Sequence, residues 1–132
     1  MAQSDTSRSS RVLVVDDNPD AANSLATILR RSGHDVHIAS DGHSAVQIAM
    51  RVRPQLVLLD IGLPGLDGFA VAKRLRQEFS LGGLKIIAVT GREAEGDRYR
   101  SIEAGIDQYL LKPVDPVFLE SLLGKGSNRK DR

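Results

Sequence analysis

Short, mainly apolar runs alternate along the chain with longer segments whose apolar residues recur at helical spacing. The runs are predicted to be β-strands, and the first and third, which are apolar at every position, to be strands buried on both faces. Each following segment has apolar residues three or four positions apart, as in an amphipathic helix. The five predicted strands are residues 12–15, 36–39, 56–59, 86–89 and 108–111.

The segments after the strands are predicted to be five helices. Asn18, Asp41 and Asp67 stand where the first three helices would begin, and all three are good N-cap residues. The fourth helix, residues 93–105, is the weakest of the five because it contains a glycine and few apolar residues. The fifth helix carries its apolar residues between positions 118 and 123.

Regular alternation of strand and helix is typical of the α/β fold class. It predicts a parallel sheet with helices on both faces, joined by right-handed crossovers. With 132 residues the chain is expected to form one domain with one core. We assign that domain to residues 11–123, between a polar tail over residues 1–10 and a basic tail over residues 124–132, both expected to be disordered.

The composition excludes several classes of protein. There is no cysteine, so disulfides, thiolate metal sites and thiol nucleophiles are absent. The formal net charge is only +1, so nucleic-acid binding is not expected, and no apolar run approaches the length of a membrane span. The polar first residues do not resemble a secretory signal, and the expected compartment is the cytoplasm.

Residues that could bind a ligand or take part in a reaction follow the predicted strands. Asp16 and Asp17 follow the first strand, Asp60 the third, Thr90 the fourth and Lys112 the fifth. Parallel strands place their carboxyl ends on one rim of the sheet, which is where ligands bind in open α/β folds. Three carboxylates, one hydroxyl and one ammonium are therefore expected to lie together.

Three neighbouring carboxylates repel one another, by about 4 kcal/mol for a pair at ~4 Å and an effective dielectric constant of ~20. A hard cation with few protein ligands, such as Mg²⁺, would relieve this repulsion. Together with Lys112 and Thr90, that cation would bind a phosphoryl group, and Asp60 would be its nucleophile. The alternative is that the aspartates are ordinary helix-start residues, where this residue type is common.

The segments VLVVDDN, LLDIGLPGLDG, AVTG and YLLKP, in this order and spacing, resemble the receiver domain of two-component response regulators. The likeness runs from about Arg11 to Leu123, nearly the whole chain, and suggests a single-domain receiver similar to the chemotaxis regulators. It implies a flavodoxin-like, doubly wound five-stranded sheet of order 2-1-3-4-5. It also implies a phosphoprotein that accepts its phosphoryl group from a sensor histidine kinase or a histidine phosphotransfer protein. Such a domain is not an enzyme, although it promotes its own phosphorylation and dephosphorylation.

The resemblance assigns roles to individual residues. Asp60 matches the phosphoacceptor, which with Asp17 and the backbone carbonyl of Gly62 would bind Mg²⁺ directly. Asp16 matches the acid that acts through a metal-bound water. Lys112 matches the lysine that pairs with the phosphoryl group, and its bond to the following proline matches a position that is usually cis.

Other matched positions concern switching and lifetime. Thr90 matches the hydroxyl that moves toward the phosphoryl group, and Tyr109 the aromatic residue that turns inward with it. Gly62 and Arg92 match the two variable positions that tune the phosphoryl lifetime. The face built from the helix over residues 93–105, the last strand and the helix that follows it would bind a downstream effector protein. A homodimer is a further candidate assembly.

Three other readings stay open at this point. The chain is expected to be a stand-alone receiver, but the terminal receiver of a hybrid sensor kinase, acting in a phosphorelay, would have the same motifs. A phosphatase of the haloacid dehalogenase type also uses an aspartate nucleophile and Mg²⁺, but it needs a second aspartate where this chain has Gly62. A flavodoxin-like electron carrier would need a Ser-, Thr- and Gly-rich loop after the first strand, where this chain has DDNPD.

Overall fold

The computed structural model describes residues 10–62, 68–78, 83–91 and 104–122. Several predictions fall on other stretches and lie outside the described residues. They are the N-cap Asp67, the lifetime position Arg92, most of the helix predicted over residues 93–105, and the two tails.

Five strands form one parallel sheet in the order β2-β1-β3-β4-β5. The α/β class and this strand order are confirmed. The strands are β1 Arg11–Val15, β2 Asp35–Ala39, β3 Leu56–Asp60, β4 Lys85–Thr90 and β5 Gln108–Leu111. The described helices are α1 Pro19–Arg31, α2 Gly42–Val52, α3 Gly68–Glu78 and α4 Pro116–Leu122.

The core has two layers, one on each face of the sheet. On one face, α2 and α3 cover the strands with residues such as Ala49, Phe69 and Leu75. On the other face, α1 and α4 cover them with Ala26, Leu29 and Leu119. Alternate strand residues enter alternate layers, so the central strands are buried on both sides, as their unbroken apolar runs predicted.

β3 and β4 each extend one residue beyond the apolar run that predicted them. Asp60 pairs with Val89, and Thr90 pairs with Leu111, so both polar residues are the last residues of their strands. Each is only 8% exposed. The backbone pairing therefore fixes both side chains at the carboxyl rim of the sheet.

His34 corrects an expectation drawn from the sequence. The three histidines lie near the second strand without metal-ligand spacing, a pattern that predicts surface or sheet-edge positions for all of them. His34 is instead buried, with 7% of its surface exposed. Its Nδ1 accepts a hydrogen bond from the Ser10 backbone N–H (3.1 Å), and its Nε2 lies 3.2 Å from a Glu120 carboxylate oxygen. These contacts connect α4 to the turn after α1.

Arg76 connects α3 to the amino edge of the sheet. Its guanidinium donates to the carbonyl oxygens of Gly105 (2.8 Å) and Leu84 (2.7 Å) and pairs with the Asp107 carboxylate. Asp107 in turn accepts from the backbone N–H of Ile86 at 2.8 Å. One side chain thus holds together the segments that lead into β4 and β5.

Among the described residues, no helix has the length and apolar character needed to cross a membrane.

Candidate functional site

The carboxyl rim brings together residues that are far apart in the sequence. Asp16 follows β1, Asp60 ends β3, and Lys112 follows β5. The Lys112 Nζ atom lies 3.2 Å from Asp60 Oδ2 and 3.8 Å from Asp16 Oδ2. The carboxylates of Asp16, Asp17 and Asp60 each offer an oxygen, and these oxygens all lie within 4.8 Å of one another.

The turn between β1 and α1 fixes the orientation of Asp16. The Asn18 backbone N–H donates to Asp16 Oδ1 at 3.0 Å. The Asn18 side chain caps α1 by accepting from the N–H groups of Asp20 and Ala21 (3.0 and 3.1 Å), with Pro19 at the first helical position. The helix cap thus holds the turn that presents Asp16, while the neighbouring Asp17 side chain is exposed.

Asp60 is held through both of its oxygens. Its Oδ1 accepts from the Gly62 backbone N–H at 3.0 Å, and its Oδ2 accepts from Lys112. Among the described residues, a Cβ atom placed on Gly62 would meet Asp60 Oδ1, at 3.8 Å. Gly62 itself therefore places no side chain beside the Asp60 carboxylate.

The pKa of Asp16 reflects its burial and the charges around it. Burial raises the pKa of Asp16 above its ordinary value, and the negative charge of Asp60 acts in the same direction. The Asn18 N–H and the Lys112 ammonium oppose this rise without cancelling it. The proton is therefore held more tightly than on an isolated aspartate, as expected where carboxylates crowd together.

The donor set fits a hard divalent cation. Three carboxylate oxygens within 4.8 Å can share one ion, and all of them are of the oxygen type that Mg²⁺ and Ca²⁺ prefer. Lys112 supplies one positive charge against three negative ones, so the cluster is left with excess negative charge for a cation to neutralise. The exposed Asp17 keeps one side of the cluster open to solvent, where water or substrate oxygens could complete the coordination.

Thr90 ends β4 at the same rim, and Tyr109 lies on the neighbouring strand β5, paired with Ala88. Thr90 is buried at the end of β4, and its carbonyl oxygen accepts from the Lys112 N–H at 2.8 Å. Tyr109 is half-buried on β5 and packs against the core layer beneath α2 and α3. The peptide bond between Lys112 and Pro113 is cis, as the resemblance implied.

Gly68 is a residue at this site that sequence reasoning missed. A Cβ atom there would lie 2.7 Å from the Ile61 Cα and 3.0 Å from the Asp60 carbonyl oxygen. The first turn of α3 can approach the end of β3 this closely only because Gly68 has no side chain. The sequence feature that could have identified Gly68 is its position one residue after the predicted N-cap Asp67.

We expect Gly68→Ala to lower the free energy of unfolding by about 1–3 kcal/mol, because the new methyl group must push α3 away from the backbone of β3. Urea denaturation followed by circular dichroism measures the difference. Gly83→Ala is the matched control, since no described residue lies within 4 Å of a Cβ atom there, and its effect should stay within ~0.5 kcal/mol. Equal stability of the two variants would contradict the close approach at Gly68.

Comparison with known proteins gives one consistent family. The chain matches the family described as response regulator receiver domain over residues 12–123. It is 41% identical over 106 residues to the alkaline phosphatase synthesis transcriptional regulatory protein PhoP of Bacillus subtilis, covering 80% of this chain and 43% of PhoP. It is 36% identical over 105 residues to protein PilH of Pseudomonas aeruginosa, covering 80% of this chain and 87% of PilH.

Other relatives are longer, and the chain spans 24% to 50% of their length. Among solved structures, the chain resembles the receiver domain of the sensor histidine kinase PA1611 from Pseudomonas aeruginosa PAO1. The two are 33% identical, with a TM-score of 0.78 over 89% of this chain and 96% of that one. The PA1611 structure holds a magnesium ion coordinated in its active site cleft.

Proposed function

Because the chain belongs to the response regulator receiver domain family, we propose that Asp60 accepts a phosphoryl group from a phosphohistidine in a Mg²⁺-dependent reaction. The donor is a sensor histidine kinase or a histidine phosphotransfer protein. One observation carries this proposal: Asp60 lies among Asp16, Asp17 and Lys112 at the carboxyl rim of the sheet. The protein acts as a stoichiometric acceptor that signals, rather than as a turnover enzyme.

In the reaction, a carboxylate oxygen of Asp60 attacks the phosphorus of the phosphohistidine. The new bond is an acyl phosphate, the P–N bond breaks, and the imidazole of the donor leaves. Gly62 N–H and Lys112 Nζ hold the two Asp60 oxygens and so orient the carboxylate for attack. The Lys112 ammonium also offsets part of the negative charge that the phosphoryl group brings.

Asp16, Asp17 and Asp60 would hold Mg²⁺. When bound, this ion neutralises charge on the phosphoryl oxygens and on the crowded carboxylates. The magnesium in the related PA1611 receiver supports the same choice of ion here. A haloacid-dehalogenase-type phosphatase is a poorer fit, because Gly62 stands where that chemistry needs a second aspartate.

The phosphoryl group is proposed to switch the protein through Thr90, Lys112 and Tyr109. Inverting a 1:99 equilibrium requires ~5.5 kcal/mol, and charge-assisted hydrogen bonds to Thr90 and Lys112 contribute ~1.5–3 kcal/mol each. The effector would bind β5, α4 and the helix predicted over residues 93–105. Exposed apolar side chains on β5 and α4 support this choice of face: Leu111, Val117 and Phe118 are 46%, 77% and 42% exposed.

Intact-protein mass spectrometry after incubation with acetyl phosphate tests this function. We expect one added phosphoryl group in the presence of Mg²⁺ and none after chelation, because the acidic cluster cannot bind the phosphoryl group without a cation. Equal incorporation with and without Mg²⁺ would contradict the proposed metal requirement. No adduct at any time after mixing would contradict the acceptor function itself.

Gly62 and Arg92 are proposed to set the lifetime of the acyl phosphate. Gly62→Asn is expected to slow hydrolysis several-fold, because a side chain beside the Asp60 carboxylate hinders an attacking water. Arg92→Ala is expected to change the decay rate if that side chain reaches the phosphoryl oxygens. Decay of the phosphorylated mass after donor removal measures both rates. Unchanged rates in both variants would contradict this idea.

A second context for the same chemistry is a phosphorelay, in which Asp60 passes its phosphoryl group to another histidine. The likeness to the receiver of the kinase PA1611 favours it, whereas the likeness to PilH favours a separate regulator. Incubating the phosphorylated protein with a histidine phosphotransfer protein discriminates the two. Rapid return of the phosphoryl group to histidine is expected of a relay receiver.

A further inference from the structure

A cavity of about 480 Å³ extends inward from the acidic rim, between α1, the sheet and the segment that follows β5. Its volume is within the range of cavities that bind small molecules, roughly 300–1,000 Å³. Away from the rim its walls are apolar and include Leu25 and Ile28 of α1, Leu58 of β3 and Val114. Of these, Leu25, Ile28 and Val114 are only half-buried, so an apolar ligand would remove further surface from water.

The cavity is elongated along α1. Ala21 and Ile28, which both line it, are seven residues apart on this helix and therefore about 10 Å apart along its axis. Ala21 follows the Asp16 turn closely, and Ile28 lies nearly two turns further toward the amino edge of the sheet. The small side chains of Ala21, at the rim end, and of Ser24, midway along the cavity, leave it open on the α1 side.

The rim end of the cavity is negatively charged. Asp16, Asp60 and Lys112 line it, and Asp17 completes the acidic cluster. Among the described residues, Lys112 is the cation that pairs with this cluster, so three carboxylates face one ammonium. A ligand head that complements this end carries positive charge.

We propose that the cavity binds a small cationic amphiphile, with its apolar body against Leu25, Ile28 and Val114 and its ammonium head beside Asp16 and Asp60. The cavity shares Asp16 and Asp60 with the proposed phosphoryl-transfer site, but binding of the amphiphile needs no phosphodonor. The ammonium head and a divalent cation occupy the same carboxylates, so each weakens the binding of the other by the same factor. Such a ligand therefore inhibits any Mg²⁺-dependent reaction of Asp60.

Titration of the full chain with hexylamine, followed by ¹H–¹⁵N NMR, tests the proposal. We expect saturable shifts at the backbone amides of residues that line the cavity. Propylamine should bind roughly fifty-fold more weakly, because it lacks three methylene groups. Hexanol and hexanoate, which keep the chain and change the head, should bind at least ten-fold more weakly than hexylamine, and saturating Mg²⁺ should lower the hexylamine affinity.

A pair of variants on α1 locates the site. Ser24→Leu places a larger side chain in the cavity and should weaken hexylamine binding at least ten-fold. Asn23→Leu makes the same kind of change on the exposed side of α1, outside the cavity lining, and should bind hexylamine as the wild type does. Thermal unfolding of both variants checks that the fold is retained.

Several results would overturn the proposal. Equal affinity for hexylamine and propylamine would mean that only the surface charge binds the amine. Equal affinity for hexylamine and hexanol would show that the acidic rim does not contribute to binding. Unchanged binding in Ser24→Leu would place the amine elsewhere. None of these measurements uses phosphorylation, so their failure leaves the acceptor function of Asp60 standing.

Discussion

Replacing Asp60 with asparagine is expected to lower phosphoryl incorporation from acetyl phosphate by ~100-fold or more, because a neutral amide oxygen cannot form the acyl phosphate. Asparagine has nearly the same shape as aspartate, and its side-chain oxygen can still accept from the Gly62 N–H. The substitution also removes one of three crowded negative charges, so the variant is expected to fold. Quantitative intact-mass spectrometry over a time course measures the difference.

Asp41→Asn is the matched control for Asp60→Asn. Asp41 caps α2 by accepting from the Ser44 N–H at 2.8 Å, and this hydrogen bond lowers the pKa of the Asp41 carboxyl. Asparagine is an equally good N-cap, so Asp41→Asn should fold and accept the phosphoryl group at the wild-type rate. Wild-type incorporation in Asp60→Asn, or its loss in both variants, would contradict the assignment of the acceptor.

The largest stability effect among the predictions is expected for Arg76→Ala, which should lower the free energy of unfolding by about 2–4 kcal/mol. The side chain donates to two backbone carbonyls and pairs with the Asp107 carboxylate, and it is largely shielded from solvent, with 28% exposed. Its removal leaves these acceptors without their charged donor. Urea denaturation at neutral pH measures the loss.

Two further variants show whether the geometry of Arg76 matters. Arg74→Ala, on the same helix, removes an exposed pair with Glu78 at 3.8 Å and, as far as the described residues go, no other ion pair, so it should change stability by less than ~0.5 kcal/mol. Arg76→Lys should recover only part of the loss, because an ammonium cannot donate in the directions of the planar guanidinium fork. If Arg76→Ala and Arg74→Ala cost the same, the network does not hold the sheet edge as inferred.

The parts of the structure that could be predicted from the sequence follow from short-range patterns. The apolar runs before Asp16, Asp60 and Thr90 indicate strands buried on both faces, and parallel strands place their ends on one rim. The convergence of Asp16, Asp60 and Lys112 needs only these two facts and the chain order. For this reason the geometry of the acidic cluster could be anticipated, although the roles of its members stay proposals.

Other features could not be predicted because they depend on distant segments. Arg76 resembles any arginine on a helix until Leu84, Gly105 and Asp107 meet it in space. Both ring nitrogens of the buried His34 have partners that are distant in the sequence, Ser10 and Glu120.

The cavity beside α1 also depends on distant segments, because its width is the distance between α1 and the loop that follows β5. Hydrophobic spacing indicates that Leu25 and Ile28 face inward, but it does not give the distance to the facing wall. That distance depends on where Val114 lies after β5. The hydrophobic pattern along α1 gives no information about the position of Val114.

The most direct test of the central claim is to locate the phosphoryl group on the chain. Borohydride reduces an aspartyl phosphate to homoserine, releasing phosphate, and peptide mass spectrometry then identifies the modified position. After reaction with acetyl phosphate and Mg²⁺, we expect homoserine at position 60 and unmodified aspartate at positions 16 and 17. Homoserine at position 16 or 17, or phosphate on another residue type while Asp60 stays unmodified, would contradict the account.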